Sequence, residues 1–294
     1  MKVYNPKDWL YPIKYLLSAE HTKKIFPLII GLGLFSWSIA YLELEYLKLS
    51  DKSWVKNITT VHSLLGFVLS LILVFRTNTA YDRWWEARKQ WGTLTNVSRT
   101  LSIKLNAFLE REDKINRSFY RKAIPLFAET LYNFLRSEYT KFMLDEADHP
   151  EIISLDDKKH GPNQVASLLF NKTNSLYREG KLSGEQLRLL NEEITSMTNV
   201  CGACERIKNT PIPIAYSSFI KVFIIIYTLT LPIGYVFSMG YFVCFAVPFI
   251  FYILITIEMI GESIEEPFGT DSDDLPIDRM ADNIKKHCRE MLLP

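Results

Sequence analysis

Four runs of mostly apolar residues, at 25–42, 58–75, 219–237 and 241–259, constrain this chain more than anything else in it. An α-helix rises 1.5 Å per residue, so such a run covers most of the roughly 30 Å of hydrocarbon in a bilayer. Trp37 and Tyr41 close the first run and suit the headgroup layer. His62 is the one ionisable group inside the second, which stops at Arg76. Lys221 and Glu258 stand near the ends of the third and fourth, where a charged head reaches water. Ser238, Met239 and Gly240 alone separate those two, which predicts a hairpin, and Pro232 and Pro248 predict kinks within it.

Composition hides this pattern. The 294 residues carry 34 Lys+Arg and 33 Asp+Glu, a net charge of +1, and the mean hydropathy of +0.02 averages apolar blocks with a charged remainder. Near-neutrality offers no concentrated positive patch for a phosphate backbone, so nucleic acid is not an expected partner. A hydrophobic content of 48% excludes a disordered chain.

Basic residues near the runs set the expected orientation. Lys2, Lys7, Lys14, Lys23 and Lys24 precede the first run, and Arg76, Arg83, Arg88 and Lys89 follow the second. In the loop at 43–57, Lys48, Lys52 and Lys56 are balanced by acids, and the second hairpin turn is uncharged. The positive-inside rule then puts both termini and the middle of the chain in the cytoplasm. The expected organisation is a cytoplasmic N-terminal segment at 1–24, a first transmembrane hairpin at 25–75, a cytoplasmic helical domain at 76–218, a second hairpin at 219–261, and an acidic turn with a C-terminal helix at 262–294.

Within the middle domain, Leu126, Phe127, Thr130, Leu131, Phe134 and Leu135 recur at helical spacing. So do Val165, Leu168, Leu169 and Tyr177, and Leu187, Leu190, Ile194 and Met197. The acidic and basic stretch at 143–162 reads as a solvated linker. The fold class is therefore all-α: a four-span helical membrane protein with a cytoplasmic helical domain.

Candidate chemistry is sparse. Cys201 and Cys204 have C-x-x-C spacing, but Cys244 and Cys288 form no second pair, so small helix-packing residues are the expected reading. His62 is either a functional intramembrane group or a side chain facing the interface. No phosphate loop, catalytic triad or zinc-protease motif occurs, so no enzyme is expected and no cofactor is assigned.

Three stretches are more specific. FRTNTAYDRWWEARKQWG at 75–92 continues the second run as a helix, with Tyr81, Trp84, Trp85 and Trp91 expected on one side. CERIKNTPIP at 204–213 uses Pro211 and Pro213 to end one helix and turn into the third run. EEPFGTDSDDLPID at 265–278 is an acidic turn after the fourth.

Together these segments resemble the bestrophin family, its bacterial branch in particular. The resemblance implies a homopentameric channel for monovalent ions in a membrane, that of a bacterial cell's inner membrane, with the second run lining a narrow neck and the cytoplasmic helices enclosing a wider vestibule with a second constriction. Eukaryotic members are calcium-activated anion channels and the bacterial branch is associated with monovalent cations, so the sign of the permeant ion stays open. The implied partners are further copies of the chain, lipid and the permeant ions.

At 100° per residue, Thr59, Ser63, Gly66 and Ser70 share one face of the second run, a small-residue pattern that lets membrane helices approach closely. Leu64, Val68 and Ile72 lie roughly opposite. By itself that stripe is lipid-facing or bundle core; with the resemblance it becomes the candidate neck, and Phe67 with Leu71 is the rival stripe. Leu182 is the candidate cytoplasmic constriction, with Leu187 as runner-up. Glu266, Asp271, Asp273 and Asp274 fall where the family's calcium clasp lies, interrupted by Thr270 and Ser272. The favoured alternative makes Asp274 the cap of a helix that runs to about Met291. A membrane scaffold or coupled transporter remains the competing function.

Overall fold

The computed structural model describes residues 20–48, 57–136 and 159–292. The N-terminal segment up to residue 19, most of the linker at 143–162, and Lys52 and Lys56 lie outside the described residues. Among the described residues there is no strand, and eight α-helices occur. They are α1 (Glu20–Tyr41, extended by a π-helical turn Leu42–Tyr46), α2 (Ile58–Phe108), α3 (Lys114–Arg136), α4 (Gly161–Arg178), α5 (Gly184–Asn209), α6 (Ile214–Met239), α7 (Val243–Glu265) and α8 (Ile277–Met291).

The chain divides into two compact units. One takes the described residues up to Asp82 with Ile212–Glu265; the other takes Arg83–Pro211 and the described residues from Glu266 onward. Helix α2 passes through both, because no proline or glycine pair interrupts its 51 residues. The second apolar run therefore has no helical stop at Arg76.

In the first unit α1 packs on α6 and α7, and these two pack on each other. Leu32, Leu69, Leu73, Ile220, Ile224, Val247 and Phe251 form its core. Among the described residues three continuous helical stretches are long and apolar enough to cross a membrane, Ile25–Tyr46, Ile58–Phe108 and Ile214–Glu265. The last joins α6 to α7 through a short 3-10 turn, Gly240–Phe242. Gly240 adopts φ +53°, a conformation that side chains resist, and so ends α6 where no proline stands. Hydroxyls inside the apolar helices are satisfied locally: Ser36 donates to Leu32 O at 2.8 Å and Thr228 to Ile224 O at 2.8 Å. Helices α6 and α7 both continue through their prolines, Pro232 and Pro248.

The second unit packs α3 against α8 and α4, and α4 against α5. Phe127, Thr130, Leu131 and Leu135 are buried as their spacing predicts, with Leu126 and Phe134 half-buried beside them. Val165, Leu169, Leu190, Ile194 and Met197 complete that core, while Tyr177 is exposed. A capping box starts α5: Ser183 Oγ accepts from the Gln186 backbone at 3.2 Å, and Gln186 returns the bond to the Ser183 N–H at 2.8 Å.

Candidate functional site

The three sequence motifs hold each unit together. In the apolar unit, Arg76 is 1% exposed and places Nη2 2.6 Å from Glu265 Oε2 and Nε 3.5 Å from Glu258 Oε1. Glu258 is fully buried, not snorkelling to water as its place near the end of a run suggested. The other oxygen of Glu265 accepts the Ile212 backbone N–H at 2.9 Å. One carboxylate thus fixes the start of α6 and the arginine of α2. Arg76 Nε and Nη1 and both Glu258 oxygens make no hydrogen bond, so this buried charge is incompletely satisfied.

In the helical unit Arg83 donates to Ile207 O at 2.7 Å and also to Thr210 O, capping the end of α5. Trp84 Nε1 donates to Asp273 O at 3.1 Å. The aromatics do not gather on one side: Trp91 is buried and Trp84 packs on the core, whereas Tyr81 and Trp85 are exposed. A 100° step places 84 and 91 near one another and rotates 81 and 85 away from them.

His62 is buried, not facing the interface. Its Nδ1 donates to Ile58 O at 3.0 Å, and its Nε2 lies 2.9 Å from Thr230 Oγ1. The small-residue stripe splits. A Cβ on Gly66 would sit 2.6 Å from Tyr227 Oη, and one on Gly234 would sit 3.1 Å from Thr59 Cγ2, so Gly66 and Thr59 serve close packing. Ser63 and Ser70 are exposed and bond back to their own helix.

Of the candidate neck, Leu64 is 66% and Val68 44% exposed, and Ile72 is half-buried against the core of the apolar unit. Phe67 and Leu71 are exposed as well. The buried face of this stretch runs through His62, Leu69, Leu73 and Arg76, leaving both stripes outward.

Leu182, the candidate cytoplasmic constriction, is 4% exposed and belongs to the core of the helical unit. Leu187, the alternative, is half-buried beside an open groove of about 520 Å³ lined also by Arg188, Asn191 and Thr195.

The acidic turn also departs from expectation. Pro276, not Asp274, stands at the N-cap of α8, and it offers no side-chain cap. Asp274 folds back to accept the Asp271 N–H at 2.5 Å and is buried, while Asp271, Asp273 and Glu266 are exposed. Burial, with Asp271, Glu266 and Asp273 adding negative charge, pushes the Asp274 carboxyl up to about 6. Among the described residues the one group of three or more His, Cys, Asp or Glu whose ligand atoms lie mutually within 4.8 Å is His160, Cys201 and Glu205, so the turn does not gather its carboxylates in that way.

Residues 2–290 match the family model for bacterial and fungal bestrophin proteins. The chain belongs to the bestrophin family. A voltage-dependent anion channel-forming protein of Nostoc sp. is 34% identical over 77% of this chain and 75% of its own length. One of the same description from Mesorhizobium japonicum is 29% identical over 94% of this chain and 87% of its own. A crystal structure of a bacterial bestrophin homologue from Klebsiella pneumoniae aligns with TM-score 0.79 and 26% identity, covering 92% of this chain and 99% of that one. The bestrophin assignment and the apolar helices identify a helical membrane protein. Sequence reasoning missed the partnership of Arg76 with Glu258 and Glu265; the available signal was an arginine and a glutamate each abutting an apolar run.

Proposed function

We infer that this chain is a subunit of a passive ion channel: a homopentamer in which α2 lines a narrow apolar neck through Leu64, Val68 and Ile72. The observation that carries the reading is that α2 leaves a broad apolar face uncovered over membrane-spanning length in a chain of the bestrophin family. A ring of equivalent subunits gives such a face an axis to line. Apolar rings hold ions back by dewetting and contribute little to charge discrimination.

The proposed topology has four spans. At 1.5 Å per residue the 26 residues of α6 and the 23 of α7 reach about 39 and 35 Å, enough for each to cross alone. The uncharged turn after α6 and the basic residues Arg76, Arg83, Arg88 and Lys89 support cytoplasmic termini in an inner membrane. Calcium is not part of the proposal, because the acidic turn spends its buried carboxylate on its own backbone.

The permeant ions are monovalent. The relatives described as anion channel-forming support anions, and cation passage is the competing outcome of the same reversal-potential measurement. Mass photometry of detergent-solubilised protein tests the assembly. About five chains per particle is the expected result from the cyclic arrangement, and a stable monomer or dimer contradicts it. Ion flux from liposomes under a gradient alone separates a channel from a scaffold or coupled carrier.

A further inference from the structure

The C-x-x-C pair, which the sequence presents as small packing residues, has no part in ion conduction as proposed above. The structure separates its members. Cys204 is buried in the core and belongs to no three-ligand group among the described residues, whereas Cys201 lies beside two further ligand types. Cys201 Sγ is 3.7 Å from Glu205 Oε1, one helical turn on, and His160 at the start of α4 brings Nε2 against the same oxygen. That nitrogen is buried from solvent yet makes no aligned hydrogen bond, although it touches a carboxylate. Two ligands held at 2.3 and 2.0 Å from one tetrahedral centre are about 3.5 Å apart, close to the sulfur–oxygen separation here.

We propose that His160, Cys201 and Glu205 form a binding site for a divalent transition metal of the zinc class, independent of ion conduction. Imidazole, thiolate and carboxylate together suit zinc and cobalt, while calcium and magnesium ask for oxygen ligands throughout. Three protein ligands leave a fourth position for water. His160 and Glu205 remain about a quarter exposed, at 26% and 30% of their side chains, which gives the ion a way in.

Binding moves protons in a defined way. The Cys201 thiol, held up by burial, gives its proton to solvent as sulfur coordinates. His160 Nδ1 now accepts the Asn163 N–H at 3.2 Å, so the ring proton sits on Nε2. Coordination through Nε2 shifts that proton to Nδ1, and the long capping bond is exchanged for the metal bond. The ion then ties the first residue before α4 to the second half of α5, within one unit.

Cobalt titration of the full-length detergent-solubilised protein tests the site. One Co²⁺ per chain, with visible bands of a tetrahedral centre and a near-ultraviolet thiolate band, displaced by Zn²⁺, is expected. Cys201→Ala should abolish the thiolate band and Cys204→Ala should keep it. His160→Asn retains a capping side chain but removes the ligand nitrogen, and should weaken binding at least about tenfold, since even outer-shell losses cost that much. If Cys201→Ala does not fold, His160→Asn and Glu205→Gln decide the question, because both side chains are partly exposed. Folded wild-type protein without a tetrahedral cobalt spectrum overturns the proposal, as does a thiolate band that survives in Cys201→Ala or binding that His160→Asn and Glu205→Gln leave unchanged.

Discussion

The guanidinium of Arg76 lies 2.6 Å from the carboxylate of Glu265, a pairing between α2 and the last residue of α7. Glu258, about two turns earlier on α7, stands 3.5 Å away with neither oxygen hydrogen-bonded. Removing the arginine leaves two acids without compensation in an apolar unit. Arg76→Ala should therefore destabilise the protein by about 3–5 kcal/mol, the usual cost of breaking a buried pair from one side. Thermal unfolding in detergent measures it, and adding Glu258→Gln to that variant should recover part of the loss. Equal melting temperatures for wild type and Arg76→Ala would refute a structural role for the pair.

Asp274 gives a pH dependence of known sign. Burial pushes its carboxyl from an ordinary value of 3.8 up to about 6 in the folded chain. The protonated form is favoured by folding, so the contribution is complete below about 4 and is lost as pH rises through 6. At pH 7.5 the buried charge costs about 3 kcal/mol, taking 1.36 kcal/mol per unit. Asp274→Asn keeps an acceptor for the Asp271 N–H and should raise the melting temperature at pH 7.5, with little difference from wild type at pH 4. A lower melting temperature at pH 7.5 would show that the ionised carboxylate is stabilised there.

Calcium provides a separate check on the same turn. Asp271→Ala combined with Asp273→Ala should shift thermal stability equally with calcium or with chelator, since both side chains are exposed and Asp274 is engaged with backbone. A ligand that binds only the native state must stabilise it. A calcium-dependent rise in melting temperature that the double substitution removes would establish the clasp after all.

Gly66 marks where α2 meets α6. A Cβ there would stand 2.6 Å from Tyr227 Oη and 3.3 Å from the ring carbon bearing it. Gly66→Ala should cost about 1–3 kcal/mol through overpacking. Tyr227→Phe removes the offending oxygen and should restore much of that loss in the double variant. Additive effects in the cycle would mean that the two helices are not in contact at this position.

Much of the fold was legible because burial follows local periodicity. Phe127, Leu131 and Leu135 repeat at four and are buried, and the apolar runs coincide with α1, the first part of α2, α6 and α7. What escaped depends on pairs far apart in the chain. Arg76 and Glu258 each read as the polar end of a run, and nothing local says that each terminates against the other. Leu182 follows the positive-φ Gly180 in a short turn and looks like loop, yet the turn folds it into the core. Asp274 resembles a cap one turn before a helix, but the turn closes on Asp271 instead. Cys201 gained its neighbours from His160, which no spacing rule connects to it.

Single-channel recording of the reconstituted protein in planar bilayers decides whether the chain forms a passive pore. A passive pore with an apolar neck should give unitary steps that reverse with the ion gradient, and Val68→Ala should raise conductance or open probability with little change in ion preference, because in the proposed pentamer five side chains would shrink together and no charge would move. Phe67→Ala should mainly weaken assembly. Absence of steps from verified pentamers would contradict the channel itself, and current altered by Phe67→Ala but not by Val68→Ala or Ile72→Ala would place the lining on Phe67 and Leu71.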